Sequence, residues 1–204
     1  MSDNNFVIKS IKERIGLDYI IPELFKDKLY SSYYTDIYGK EIYDAFIQEH
    51  KEELFEYNGV VEKHKGITIK RFLIEVKVRD DFYLDGLMLE YKKLNDLKKK
   101  AKNVDATIIY ISITPNGTYC FNLSKMENNF KWETKNCPIS TVDPSRGRVD
   151  KKVVMLKLDT AKFINLKTDF VNKRYDESID VRRVKNDNNE TKARFCLFRD
   201  VLNM

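Results

Sequence analysis

The apolar residues of this chain fall into two spacings, one helical and one alternating. From about Asn5 to Tyr30, Val7, Ile8, Ile11, Ile15, Ile20, Leu24 and Phe25 recur near helical spacing, with Asp3 or Asn4 as a cap. Pro22 predicts that this helix breaks into two pieces. "SSYYTDIYGKE" reads as a turn around Gly39, and "EIYDAFIQ" as a short strand, Glu41 to Gln48. Two turn signals, Asn58-Gly59 and Lys65-Gly66, then separate apolar runs, predicting a hairpin or meander that ends in "RFLIEVKVR". Leu84, Leu87, Met88, Tyr91, Leu94, Leu97 and Ala101 recur at i, i+3, i+4 and i+7, which predicts a helix from Leu84 to about Lys102. "ATIIYISI" follows as a buried strand, Pro115-Asn116-Gly117 as a turn and "TYCFNL" as another strand.

Beyond Lys125 the pattern weakens. "NCPISTVDPSRGRVDKK" reads as loop, "VVMLKLD" as an edge strand, and the polar segment near 182–194 as mobile. The element order predicts an α/β fold around a central mixed β-sheet flanked by helices. Residues 1–125 form the expected core and 126–204 a C-terminal extension packed on it.

One strand breaks the apolar rule. Side chains alternate across a strand, so Ile74, Val76 and Val78 take one face while Glu75 and Lys77 share the other. Such a face is either a solvated sheet exterior carrying a salt bridge, or a desolvated site whose charges need partners. Asp44, inside the apolar run "IYDAFI", is a second acid where strand propensity disfavours one. Carboxylates on neighbouring strands make an oxygen-rich site suited to Mg²⁺ or Mn²⁺. Glu90 and Lys93, at the border of the expected helix's apolar face, reach the same sheet edge or form an ordinary surface pair.

Composition narrows the classes. The 204 residues carry a net charge of +5, compatible with a polyanionic partner such as nucleic acid. Three scattered cysteines and two histidines argue against a disulfide framework, a structural zinc site and a Ser-His-Asp triad, and fit a cytoplasmic protein. No apolar run approaches membrane-spanning length, so no membrane partner is expected; a homodimer is a candidate assembly. Lys92, Lys93, Lys98, Lys99, Lys100 and Lys102 crowd one helix against a single acid, Asp96, as a phosphate-binding track or a merely solvated face. Arg79 is a candidate phosphate contact or a solvent-exposed strand end; Arg146 with Arg148, and Arg182 with Arg183, extend the track, and Trp132 reads as core.

"YDAFI…FLIEVKVR…MLEYKKLNDL…TIIYISITPNGTYCFNL" resembles the core of the PD-(D/E)XK nuclease superfamily, in particular its small phage or bacterial members, over roughly Glu41 to Leu123. The resemblance implies a restriction-endonuclease-like core of order αβββαβ and Mg²⁺- or Mn²⁺-dependent hydrolysis of phosphodiester bonds. It implies Asp44 and Glu75 as metal ligands, joined by the carbonyl of Val76, with Lys77 orienting or activating the attacking water. Catalytic candidates are therefore Asp44, Glu75, Lys77, Glu90 and Lys93, and nucleic-acid contacts Arg79, Lys92, Lys98 and Lys99. Tyr43 stands where the family has proline, Asp36 competes with Asp44, and Glu13 and Glu23 are both candidates for an additional first-helix acid. A catalytically silent nucleic-acid-binding or assembly protein on the same fold is the alternative.

Overall fold

The structure is a computed structural model that describes residues 2–36, 41–57, 60–84, 86–139 and 144–187. Its centre is the expected mixed sheet. The strands β1 (Leu29–Tyr34), β2 (Ala45–Tyr57), β3 (Val60–Val78), β5 (Thr107–Thr114), β6 (Gly117–Asn122) and β9 (Lys162–Ile164) lie in the order β1-β2-β3-β5-β6-β9. Among the described strands of this sheet only the β3–β5 pair is parallel. A parallel pair needs a crossover, here β4 (Leu87–Glu90) followed by the helix α2 (Tyr91–Val104). A second, antiparallel sheet of three strands has the order β4-β8-β7, with β7 spanning Glu133–Pro138 and β8 Arg148–Leu156.

Both faces of the large sheet are covered. The first helix, α1 (Ser2–Leu24), lays Ile11, Ile15, Leu17, Ile20 and Ile21 on Ile47, Ile74, Val76, Ile111 and Ile113. The last helix, α4 (Thr168–Asp187), adds Val171 to the same cluster. On the opposite face Leu73, Tyr110 and Phe121 pack with Leu94, Leu97 and Ala101 of α2 and with Leu87, Leu89, Val154 and Leu156 of the small sheet. A short helix, α3 (Leu123–Met126), ends β6 and is capped by Asn122, whose side chain accepts from the Lys125 N–H. Residues 126–187 thus contribute strands to both sheets and a helix to one layer. Among the described residues no helix is long and apolar enough to cross a membrane.

Several expectations need correction. Residues Ser2 to Leu24 form one helix with Pro22 inside its last turns, because the buried Ile11–Ile21 stripe outweighs the roughly 3 kcal/mol a proline costs. The segment after it is not helical: Leu29–Tyr34 pairs antiparallel with β2. Strand β2 starts at Ala45, so Asp44 sits just before the strand. The Lys65-Gly66 signal is no turn; β3 runs straight through it, and the irregularity appears as register shifts opposite His50. The expected Leu84–Lys102 helix begins only at Tyr91, since Leu87 and Leu89, buried on one side of an alternating strand, pair with Leu156 and Val154. Likewise the first four residues of "VVMLKLD" end β8, the middle strand of the small sheet, and part of the expected loop before it is β7. Trp132 is a half-buried ring, edge-on to Tyr91 (centroids 4.9 Å apart) and Phe130 (5.7 Å). The Gly39 and Asn58-Gly59 turns, the Arg182 and Arg183 side chains, and residues 188–204 lie outside the described residues.

Gly86 shows how tightly β4 enters its pairing with β8. Its φ is +133°, and a Cβ there would stand 2.7 Å from the Leu156 carbonyl oxygen. Gly86→Ala is therefore expected to destabilise the fold by about 2–4 kcal/mol, through strain and displacement of β4 from β8. Chemical denaturation measures it; a change below about 0.5 kcal/mol, the size of an ordinary surface substitution, would contradict the tight approach.

Candidate active site at the open edge of β3

The site forms where one strand outruns its neighbour. Pairing of β2 with β3 ends at Ala45↔Ile74, whereas β3 continues to Val78 beside β5 alone. A strand residue presents its N–H and C=O to the same side, so both groups of Val76 face this open edge. Asp44 answers the donor: Val76 N–H donates to its Oδ2 at 2.7 Å. The Asp44 backbone is itself fixed on two sides. Its N–H donates to the Ile74 carbonyl at 2.8 Å, and its carbonyl accepts from Thr35 N–H at 3.0 Å.

Around that edge the charged groups converge. Glu75, 1% exposed, has the Lys93 ammonium 2.8 Å from one carboxylate oxygen and the Lys77 ammonium 2.9 Å from the other. Lys77 also reaches Glu13 of α1 at 3.2 Å. Glu13, Asp44, Glu75, Lys77 and Lys93 line one cavity of about 160 Å³. The face bearing Glu75 is therefore not a solvated exterior; α2 covers it, and Lys93 is the part of that cover which meets the acid.

Burial dominates the electrostatics. It pushes the Asp44 carboxyl up to about 8, helped by the neighbouring Glu75 charge, while Lys77 and the Val76 N–H pull the other way. Glu13 is raised for the same first reason, against the pull of Lys77. Burial alone would lower Lys77, but Glu75, Glu13 and Asp44 together hold its ammonium well above the ordinary lysine range. Lys77 thus stays a cation and a hydrogen-bond donor.

The donor set fits a hard divalent ion in kind: carboxylate oxygens plus the edge-facing Val76 carbonyl. Glu75 Oε1 is buried and makes no well-formed hydrogen bond, although the Lys77 ammonium lies close. Among the described residues, however, no three Asp, Glu, His or Cys side chains form a group that could share an ion; Lys77 lies between Glu13 and Glu75.

The other expected residues are dispersed. Glu90 is a strand residue whose carboxylate takes the Lys151 ammonium at 2.8 Å, outside the cavity lining. Arg79 is neither a free phosphate contact nor a solvated strand end. Its guanidinium donates to Ser112 Oγ and Tyr110 OH, both at 2.9 Å, and to the Met88 carbonyl at 3.4 Å. Lys92 pairs with Asp96 and Lys98 with Glu127 on the exposed side of α2, where Lys99 is also exposed. Asp36 lines the cavity beside Asp44. Glu13 is the first-helix acid at the site, while Glu23 is exposed and 3.9 Å from Lys26. The distinguishing signal was present in the sequence: Glu13, Leu17 and Ile20 follow i, i+4, i+7, which sets Glu13 in the apolar stripe. Arg14, Ser10 and Phe6, which also line the cavity, were not anticipated.

In the unfolded chain the Asp44 carboxyl titrates near its ordinary value of about 4. Between about pH 4 and about 8 the folded protein keeps a proton that the unfolded chain releases, so stability falls as pH rises across this window. Asn at this position cannot ionise and still offers an oxygen to Val76. Asp44→Asn is expected to exceed wild type in stability by about 2 kcal/mol at pH 8, with the gain vanishing near pH 4. Urea titrations at both pH values measure this, and a pH-independent difference would refute it.

No protein-family model matches the chain, and no curated protein matches it.

Proposed function

We propose that this protein is a metal-dependent nuclease of the PD-(D/E)XK type that hydrolyses phosphodiester bonds in DNA. One observation carries the reading: Asp44, Glu75 and Lys77, brought from two segments, meet at the open edge of β3, with Asp44 hydrogen-bonded to the residue between the other two. The order α1, β1, β2, β3, β4, α2, β5, in which β4 belongs to the small sheet and β3 and β5 are parallel, is compatible with a restriction-endonuclease-like core that carries an extra strand before α2. Asp44, Glu75 and the Val76 carbonyl would hold Mg²⁺ or Mn²⁺, which when bound supplies Lewis acidity and a water of lowered pKa. Lys77, whose ammonium the surrounding carboxylates favour, would donate hydrogen bonds to the attacking water and the scissile phosphate. Lys93 offsets the Glu75 charge, and Glu13 holds the Lys77 ammonium in position. The exposed lysines of α2, Lys92, Lys98 and Lys99, are the candidate contacts to more distant phosphates.

A catalytically silent DNA-binding or assembly role is the second reading. It is favoured by the two ammonium groups that already neutralise Glu75.

The two separate in one set of measurements. Wild type is expected to cleave DNA with Mg²⁺ or Mn²⁺, and Glu75→Gln or Lys77→Met to lose about a hundredfold or more in rate. Because ion binding must displace the Asp44 proton, the thermal shift produced by Mg²⁺ should be larger at pH 8.5 than at pH 6.5 and absent in Asp44→Asn. Cleavage unaffected by both substitutions, or no cleavage and no Mg²⁺ shift at either pH, would reject the nuclease.

A further inference from the structure

One face of α1 lines the cavity with residues that the site described above does not use. Phe6, Ser10 and Arg14 follow at four-residue spacing, which sets them about 6 Å apart along the helix. Arg14 is held by stacking: its guanidinium carbon lies 3.7 Å from the centroid of the Tyr34 ring. Asp18, one turn further along α1, lies near enough to both Arg14 and Tyr34 for its charge to act on them. The fork is positioned, and Asp18 offsets part of its charge without a direct ion pair. Among the described residues no carboxylate lies within 4.0 Å of it, and its one hydrogen bond, to the Thr35 carbonyl, is 3.5 Å long. Nearby Glu13 is engaged by Lys77.

A partly desolvated guanidinium with free donors, pre-oriented on an aromatic ring, fits an anion with several acceptor oxygens. Phe6, 45% exposed at the cavity rim, offers an apolar ring on the same helix face. A base in a duplex has both faces stacked, whereas an unpaired base has a face to give to such a ring. We propose that Arg14 and Phe6 form a binding subsite for one nucleotide of an unpaired strand, Arg14 taking the phosphate next to the reacting one and Phe6 stacking on its base. This rests on the nuclease reading and adds the substrate class: single-stranded DNA or a frayed end, in preference to intact duplex.

The test is equilibrium binding of a fluorescently labelled 12-nucleotide single strand and of the matching duplex, across a salt series, with Ca²⁺ replacing Mg²⁺ to suppress cleavage. Arg14→Gln is expected to weaken single-strand binding about tenfold and to flatten the slope of log affinity against log salt by about 0.7, one phosphate contact. Arg14→Lys keeps the charge without the stacked fork; it should retain the slope while losing affinity severalfold. Phe6→Ala should weaken single-strand binding about fivefold at unchanged slope and leave duplex binding unchanged. Circular dichroism checks the fold of each variant; should Arg14→Gln not fold, Arg14→Lys and Phe6→Ala decide. An unchanged slope in folded Arg14→Gln, Arg14→Lys binding as tightly as wild type, or equal losses on single strand and duplex in Phe6→Ala overturns the subsite. If wild type still cleaves DNA in Mg²⁺, the nuclease reading survives that result. If wild type neither binds nor cleaves, both fall.

Discussion

Where β2 stops, the next β3 donor on that edge would face a partly buried space with no strand to answer it, an expensive omission in a protein interior. The Asp44 carboxylate removes the problem at 2.7 Å from Val76 N–H. This single hydrogen bond ends the antiparallel ladder, fixes the register of an acid against the Glu75–Lys77 pair, and leaves the edge open for α1 to approach. The rest of the site follows. With no β2 strand in the way, Glu13 can reach Lys77 round the edge of the sheet, bringing groups from opposite faces into one cavity.

The charges that gather there are held by mutual compensation. Lys77 bridges Glu75 and Glu13, and Lys93 takes the remaining Glu75 oxygen. Buried ion pairs contribute little net stability because desolvation consumes most of their attraction, so the arrangement is poorly explained as a device for holding the fold together. It is a store of polar groups kept ready in a confined place, with burial holding the Asp44 carboxyl toward its neutral form.

The sequence disclosed this cluster of charges more readily than several of the strands around it. Glu75, Lys77 and Asp44 were legible because charged side chains interrupt apolar runs there, and what separated a site from a solvated sheet exterior was the cover of α2, which no local pattern carries. Glu90 misled, since Leu84, Leu87, Met88 and Tyr91 satisfy helical spacing while Leu87 and Leu89 also satisfy the alternation of a strand. What decided between them was β8, some sixty residues away, and no local pattern carries a pairing of that range. For the same reason β1 was hidden: "LYSSYY" has little apolar alternation and is a strand because β2 offers it an edge. Arg79 was legible as a charge but not as an occupied one, because its partners Tyr110 and Ser112 come from the neighbouring parallel strand.

Strand β3 has a further consequence. It is nineteen residues long, yet β5 accompanies it only from Phe72 onward, and β1 supports its partner β2 only up to His50. Among the described residues, Glu52 to Tyr57 and Val60 to Lys65 pair with each other alone, and Ile67 and Ile69 just beyond are exposed. An isolated two-stranded ribbon is marginal in water, so one continuous strand joins two regimes of local stability. Amide exchange along β3 would follow global unfolding near Glu75 and local fraying toward Val60. The site is thereby anchored in the slow half, while the outer half can open and close without disturbing it.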